Sequence, residues 1–197
     1  MHISEGILSP KILLAGAVLS AGGVVLGLKK LKNEDIPKAA VLSSAFFVAS
    51  LIHVPLGPAS CHLVLNGLNG ILLGWTAFPC ILLSLALQAV LFQFGGLTTI
   101  GVNSFSMAMP AVISYYLFRT LTHKGKKLAF LAGFLAGSLA LLMAALFVGL
   151  ALVETEKSFS PMVGAFILMN FPISLVEGVI SGFVILYLKK VKPEMLT

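Results

Sequence analysis

AAVLSSAFFVASLIHVPLGPASCHLVLNGLNGILLGWTAFPCILLSLALQAVLFQFGGLTTIGVNSFSMAMPAVISYYLF, residues 39–118, runs for 80 positions without Asp, Glu, Lys or Arg. A soluble domain carries about 25% charged residues, so a charge-free run of this length has no counterpart there. A bilayer accommodates it, because each crossing of a hydrocarbon core of about 30 Å takes about 20 apolar residues. Around this run the whole chain is 58% hydrophobic and 10% charged, with a mean hydropathy of +1.06. The fold class expected is all-α: a polytopic membrane bundle forming a single transmembrane domain over residues 1–197.

Punctuation divides the chain into seven apolar segments: Ile7–Leu28, Lys38–Val54, Cys61–Gly74, Trp75–Phe94, Gly101–Phe118, Leu128–Val153 and Pro161–Leu188. Lys and Arg in short loops mark the cytoplasmic side. Lys29, Lys30, Lys32 and Lys38 assign the first loop there. Arg119, Lys124, Lys126 and Lys127 do the same near Gly125, and Lys189, Lys190 and Lys192 hold the C-terminus inside. Between Pro55 and Phe118 the number of crossings must then be odd, and the reading supplies three. The N-terminus is therefore expected outside. The third segment is short and is expected to be tilted or half-inserted, which is tolerated where other helices enclose it. Tyr115, Tyr116 and Tyr187 fall near cytoplasmic ends, as interfacial aromatics do. Gly16, Ser20, Gly23 and Gly27 form a small-residue stripe, suited either to a partner helix or to internal packing.

The net charge of +6 is clustered, mostly in these loops, which argues against nucleic acid as a partner. Cys61 and Cys80 fall at opposite sides and form no metal or disulfide pattern. No GxxxxGK[ST] phosphate loop is present, so the chain itself is not expected to hydrolyse ATP. Residues 1–23 lack the basic start of a signal peptide, so the mature chain is expected to begin at Met1 or His2.

The first ten residues, MHISEGILSP, carry a His in second place and no Lys or Arg. A free α-amine, the amide nitrogen of residue 2 and Nδ1 of its imidazole can grip one metal in five- and six-membered chelate rings, once the amide loses its proton. One corner of the plane is left for another imidazole. Planar nitrogen sets favour Ni(II) or Cu(II), and low-spin Co(II) also fits. The competing reading is a flexible terminus that carries His2 by chance. Of the other His residues, His53 and His62 fall on the same side as Met1, where they serve equally as polar caps. His123 lies in a basic loop and reads as surface. Cys61 is a soft ligand or a buried inert thiol. Glu177, well inside the last segment, is expected to pair with a polar neighbour such as Gln88, Gln93 or Asn170.

The stretches MHISEGILS, FFVASLIHVPLGPASCHLVLNGLNGILLGW, LFQFGGLTTIGVNSFSMAMPA and VEGVISGF with LKKVKPEML resemble the CbiM/NikM family. These are substrate-capture components of energy-coupling-factor transporters for cobalt and nickel. The resemblance spans nearly the whole chain. It implies seven helices, with the N-terminus inserted into the outer side of the bundle and the C-terminus cytoplasmic. It implies that a transported Ni(II) or Co(II) is held by the Met1 amine, the His2 amide and ring, and His62, with Met1 retained and unformylated. His53 and Asn103 would support those ligands. The chain would be no enzyme and carry no cofactor besides its cargo. Its partners would be a transmembrane coupling subunit, two ABC ATPase subunits and a small separate N-type membrane subunit, since the chain ends at Thr197 without a fused one. Its place would be the bacterial or archaeal cytoplasmic membrane. Two departures stand out: HLVLNG after the metal-site His, where some relatives have a His-Pro sequence, and Asn170 where many have His.

Two other classes fit the residues alone. An intramembrane serine hydrolase would use Ser60 or Ser104 with His53 or His62, although no G-x-S-x-G stretch accompanies them. A structural membrane subunit or passive pore would need no chemistry at all.

Overall fold

The computed structural model describes residues 1–51, 53–56, 59–121 and 125–196, with 53–56 described by their backbone. His123 and Lys124 lie outside the described residues. Seven α-helices follow in order among those described: α1 (Pro10–Lys30), α2 (Ile36–Ala49), α3 (Asn66–Leu73), α4 (Ala77–Phe92), α5 (Ile100–Leu121), α6 (Lys126–Thr155) and α7 (Ser160–Val191). A hairpin of β1 (His53–Leu56) and β2 (Ala59–His62) stands between α2 and α3. Prolines at the first turns of α1, α2 and α7 supply the fixed φ of a helix start, where no N–H is needed.

Side-chain contacts give the direction of each helix. Gly16 of α1 meets Val102 at the start of α5, and Gly27 meets Trp75 and Pro79. Ser84 and Gln88 of α4 bond to Ser43 and Phe47 of α2. Gly149 of α6 meets Val163 of α7, and Gly133 meets Ile185. The helices thus alternate between two ends. One end gathers Lys29, Lys30, Lys32, Lys38, Arg119, Lys126 and Lys189. The other holds the N-terminus, Phe94, Thr99 and Thr155.

Among the described residues, four stretches are long and apolar enough to cross a membrane: Pro10–Lys30, Asn66–Phe92, Lys126–Thr155 and Lys157–Val191. The second of these reverses on itself. His62 before it and Phe94 after it both lie against His2, while Trp75 in its middle sits beside Lys30 at the basic end. Its first limb, α3, has eight residues and spans about 12 Å at 1.5 Å per residue. All eight are buried, between α5 and α6. A Cβ on Gly67 would stand 2.6 Å from the Cα of Gly137, so α3 and α6 touch backbone to backbone.

The sequence-based boundaries change most here. The second segment ends as a helix at Ala49, and His53 belongs to a strand, so the fold is not wholly helical. Pro55, which lacks an N–H and restricts the residue before it, favours extended backbone. The third segment divides into β2 and α3. The stripe Gly16, Ser20, Gly23 and Gly27 is buried within the chain, against Val102, Gly101, Phe78 and Trp75, so it serves internal packing.

Candidate metal centre

The N-terminus is threaded into the bundle. Met1 and Ile3 are wholly buried and His2 is 4% exposed. Ile3 forms a β-bridge with Ala59, extending the hairpin by one residue. Asn103 of α5 closes a two-point clasp on the same residue: the Ile3 N–H donates to Oδ1 at 2.9 Å, and Nδ2 donates to the Ile3 carbonyl at 3.1 Å. Thr99 Oγ1 donates to that carbonyl too, at 3.0 Å. Further along, the Glu5 carboxylate accepts from the Thr98 N–H at 3.0 Å and from the Thr98 hydroxyl.

Magnitudes explain why this terminus is ordered. Fixing three residues costs about 1–2 kcal/mol each. Burying the Met1 and Ile3 side chains returns about 1.5–3 kcal/mol each, which roughly balances that cost. The Asn103 and Thr99 hydrogen bonds, at about 0.5–1.5 kcal/mol apiece, tip it towards order.

Burial of the terminus brings two imidazoles together. The His2 and His62 rings stack with centroids 4.7 Å apart and planes 25° apart. His62 Nδ1 lies 2.7 Å from the Leu63 carbonyl. A carbonyl only accepts, so Nδ1 carries the proton and Nε2 keeps its lone pair. That Nε2 is buried and has no hydrogen-bond partner among the described residues. The His2 amide donates to Ser60 Oγ at 3.3 Å. In this bond Ser60 is the acceptor, so the amide proton is held by a group that can give it up again. Gly95, at φ +75°, closes over the site: a Cβ there would stand 2.9 Å from Asn103 Nδ2 and 3.3 Å from the His2 Cβ.

Ring spacing tests whether one ion fits between them. With metal–nitrogen bonds of about 2.0 Å, each ring centroid stands about 3.2 Å from the ion, so adjacent corners separate the centroids by about 4.5 Å and opposite corners by about 6.4 Å. The observed 4.7 Å matches adjacent corners. Among the described residues no three His, Cys, Asp or Glu side chains gather as a metal group. The backbone amide of His2, in the buried terminus, lies beside the same rings.

Met1, His2, His62 and Asn103 thus meet at one end of the bundle. His53 is aligned with His62 through the strand register, Cα partner to Cα partner. Cys61 Sγ accepts from Asn170 Nδ2 at 2.9 Å. Glu177 does not pair with Gln88, Gln93 or Asn170. Its Oε1 accepts the N–H groups of Val64 and Leu65, the latter at 2.9 Å. The reason is local: Leu65 adopts φ +54° at the entry to α3, and the turn between strand and helix leaves both donors outside any ladder. Thr99 and Glu5 carry no signal in their sequence context, because their partners lie in remote segments. Ser60, a candidate nucleophile by residue type, instead faces the His2 amide.

Residues 2–195 match the family model CbiM, described as cobalt uptake substrate-specific transmembrane region. A Haemophilus influenzae protein named for metal transport is 42% identical over 199 residues, covering 100% of this chain and 97% of its own. A Methanocorpusculum labreanum protein named for cobalt transport is 32% identical, covering 100% of this chain and 92% of its own. A crystallised transition metal transporter superposes with a TM-score of 0.79 at 27% identity, covering 97% of this chain and 93% of its own.

Proposed function

The chain belongs to the CbiM family of cobalt-uptake substrate-specific transmembrane proteins, and from that premise we propose that it captures Ni(II) or Co(II) at the outer face of the cytoplasmic membrane. As a member it is the membrane component of a metal transporter and not an enzyme. The proposed capture site is a plane of four nitrogens: the Met1 α-amine, the His2 amide nitrogen, the His2 ring and His62 Nε2. The observation that carries this reading is the 4.7 Å contact of the His2 and His62 rings at a buried terminus. His62 Nε2, buried with its lone pair free, supports it further.

Derived from these groups, capture runs as follows. The metal enters as substrate and the α-amine binds it. The His2 amide would then release its proton to water, as strong metal binding permits, and the metal would take the hydrogen's place on nitrogen, freeing the Ser60 hydroxyl. His62 fills the fourth corner, held in the correct tautomer by the Leu63 carbonyl. Asn103 and the His53–His62 pairing keep the two strands of the site in register, as supports of metal ligands do.

Seven crossings, with the N-terminus outside and the C-terminus inside, fit the alternating helices and the single basic end. Delivery would need a coupling subunit, two ABC ATPases and an N-type membrane subunit, as the family resemblance implies.

Native mass spectrometry of the purified chain tests capture, with one Ni(II) or Co(II) per chain expected and a diamagnetic, planar Ni(II) spectrum. A chain that takes up no metal, or a paramagnetic six-coordinate Ni(II), would overturn it. Orientation is tested separately. In a background without Cys61 and Cys80, a cysteine near Glu156 should react with an impermeant reagent from outside and one near Lys30 or Gly125 should not.

A further inference from the structure

We propose that the basic end of this protein carries a binding site for one anionic phospholipid, with its phosphate among Lys29, Lys30, Lys32 and Lys38 and its acyl chains along α4. The proposal is independent of the metal site, which lies at the opposite end of the bundle.

The headgroup half of the site is a cavity of about 430 Å³ between the end of α1, the start of α2 and the turn before α4. Its walls hold four lysines and one carboxylate, Asp35, which bonds to Lys38 at 2.9 Å. Glu34 lies 3.5 Å from Lys32 Nζ, so subtracting both carboxylates from the four lysines leaves a formal excess of two positive charges. Lysines on flexible stems suit a phosphate, which needs point charges more than fixed geometry. Trp75 forms the inner wall, with Lys30 Nζ 5.8 Å from its ring centroid, and its indole donates to Tyr116 at 3.0 Å. Such an indole, apolar in body and polar at its tip, belongs at headgroup depth.

The acyl half follows from helix geometry. α1 and α2 both pack on α4, through Phe78 and Pro79 on one side and Ser84 and Gln88 on the other. At 100° per residue, the face of α4 between those contacts carries Leu83, Leu87 and Val90. These three are exposed by 57%, 45% and 68%. An apolar strip therefore runs from the lysine cavity along α4, flanked by two helices whose connecting loop is the basic one. A charged head above an open apolar groove has the amphipathic outline of a phospholipid, and basic pockets at this depth bind anionic headgroups.

The experiment uses the purified full chain in mild detergent, with phosphatidylglycerol, phosphatidylcholine or inorganic phosphate added, read by native mass spectrometry and by melting temperature. Phosphatidylglycerol should stay bound at one per chain and raise the melting temperature, while phosphatidylcholine should do neither. The variant Lys29→Gln/Lys30→Gln/Lys38→Gln should bind phosphatidylglycerol at least about tenfold more weakly. Lys126→Gln/Lys127→Gln, at the same end but outside the cavity, should bind it like the parent. If the triple variant does not fold, Leu83→Lys in the acyl strip takes its place with the same expected loss. Equal retention of both lipids by the parent, or of phosphatidylglycerol by the parent and the cavity variant, overturns the site. Equal stabilisation by inorganic phosphate assigns the cavity to a free anion and overturns the lipid.

Discussion

Glu177 Oε1 accepts the backbone N–H of Leu65 at 2.9 Å, from the interior of α7 to the entry of α3, across 112 residues of sequence. The same oxygen accepts from Val64, so one wholly buried carboxyl fixes the turn that follows His62. Glu177→Gln keeps an acceptor oxygen at this point, and Glu177→Ala removes it. Leaving two buried donors unpaired costs about 1–3 kcal/mol each. Glu177→Ala is therefore expected to lower the melting temperature and weaken metal binding together, and Glu177→Gln to retain binding within a few-fold. Calorimetry on both variants checks this. Equal binding by Glu177→Ala and the parent would mean that the turn needs no help from α7.

Loss of the His62 imidazole opens one corner of the proposed plane to water and leaves the terminal chelate in place. His62→Ala should abolish transport and weaken binding by at least about tenfold, the low end for groups that support a metal. His53→Ala should be milder, because His53 enters only through its strand pairing with His62. Isothermal titration with Ni(II) and Co(II) distinguishes the two, and the reverse order would exchange their roles.

Glu5 gives the terminus a pH-dependent tether. The Thr98 hydroxyl and then the Thr98 backbone N–H hold its carboxyl below the ordinary carboxylate value. A depressed pKa contributes stability above the unfolded value of about 4.3, lost as the pH falls through the lower folded value. The terminus should therefore stay tethered at neutral pH and loosen only in acid. Glu5→Gln should loosen it at all pH values, seen as faster hydrogen exchange at Ile3 and Thr98. Thr98→Val should return the Glu5 carboxyl towards its ordinary value in a carbon-detected titration.

The parts of this molecule legible in sequence are those with a local signal. Apolar runs bounded by charged stretches locate α1, α6 and α7 within a few residues, the breaks GWTAFP and FGGLTTIG locate α4 and α5, and Met-His at the start points to the terminus. The hairpin left no such signal. IHVPL and ASCH lack the polar alternation that marks a half-exposed strand, and every described residue of β2 is buried. α3 is buried all round, so it has no helical stripe to read. For Glu177 the sequence displays only polar side chains as partners. Its partners are backbone N–H groups, which become unpaired only once the turn at Leu65 exists.

Position at the terminus should matter as much as residue type. Inserting one Ala between Met1 and His2 keeps every side chain of the site and moves the α-amine one residue further from the imidazole. Ile3 remains pinned by Asn103 and Ala59, so the added length pushes the Met1 side chain out of its buried seat. The longer terminus gains a second amide nitrogen between amine and ring, and amine, two amides and imidazole fill all four planar corners. His62 then has no corner to occupy, and the ion is held by the terminus alone, with no ligand from the rest of the bundle. Metal content of the purified variant should stay near one per chain, while uptake by cells expressing the whole transporter should fall strongly. Acetylating the amine, or His2→Ala, should lower both. Normal uptake by the insertion variant would show that the first two residues do not form the chelate.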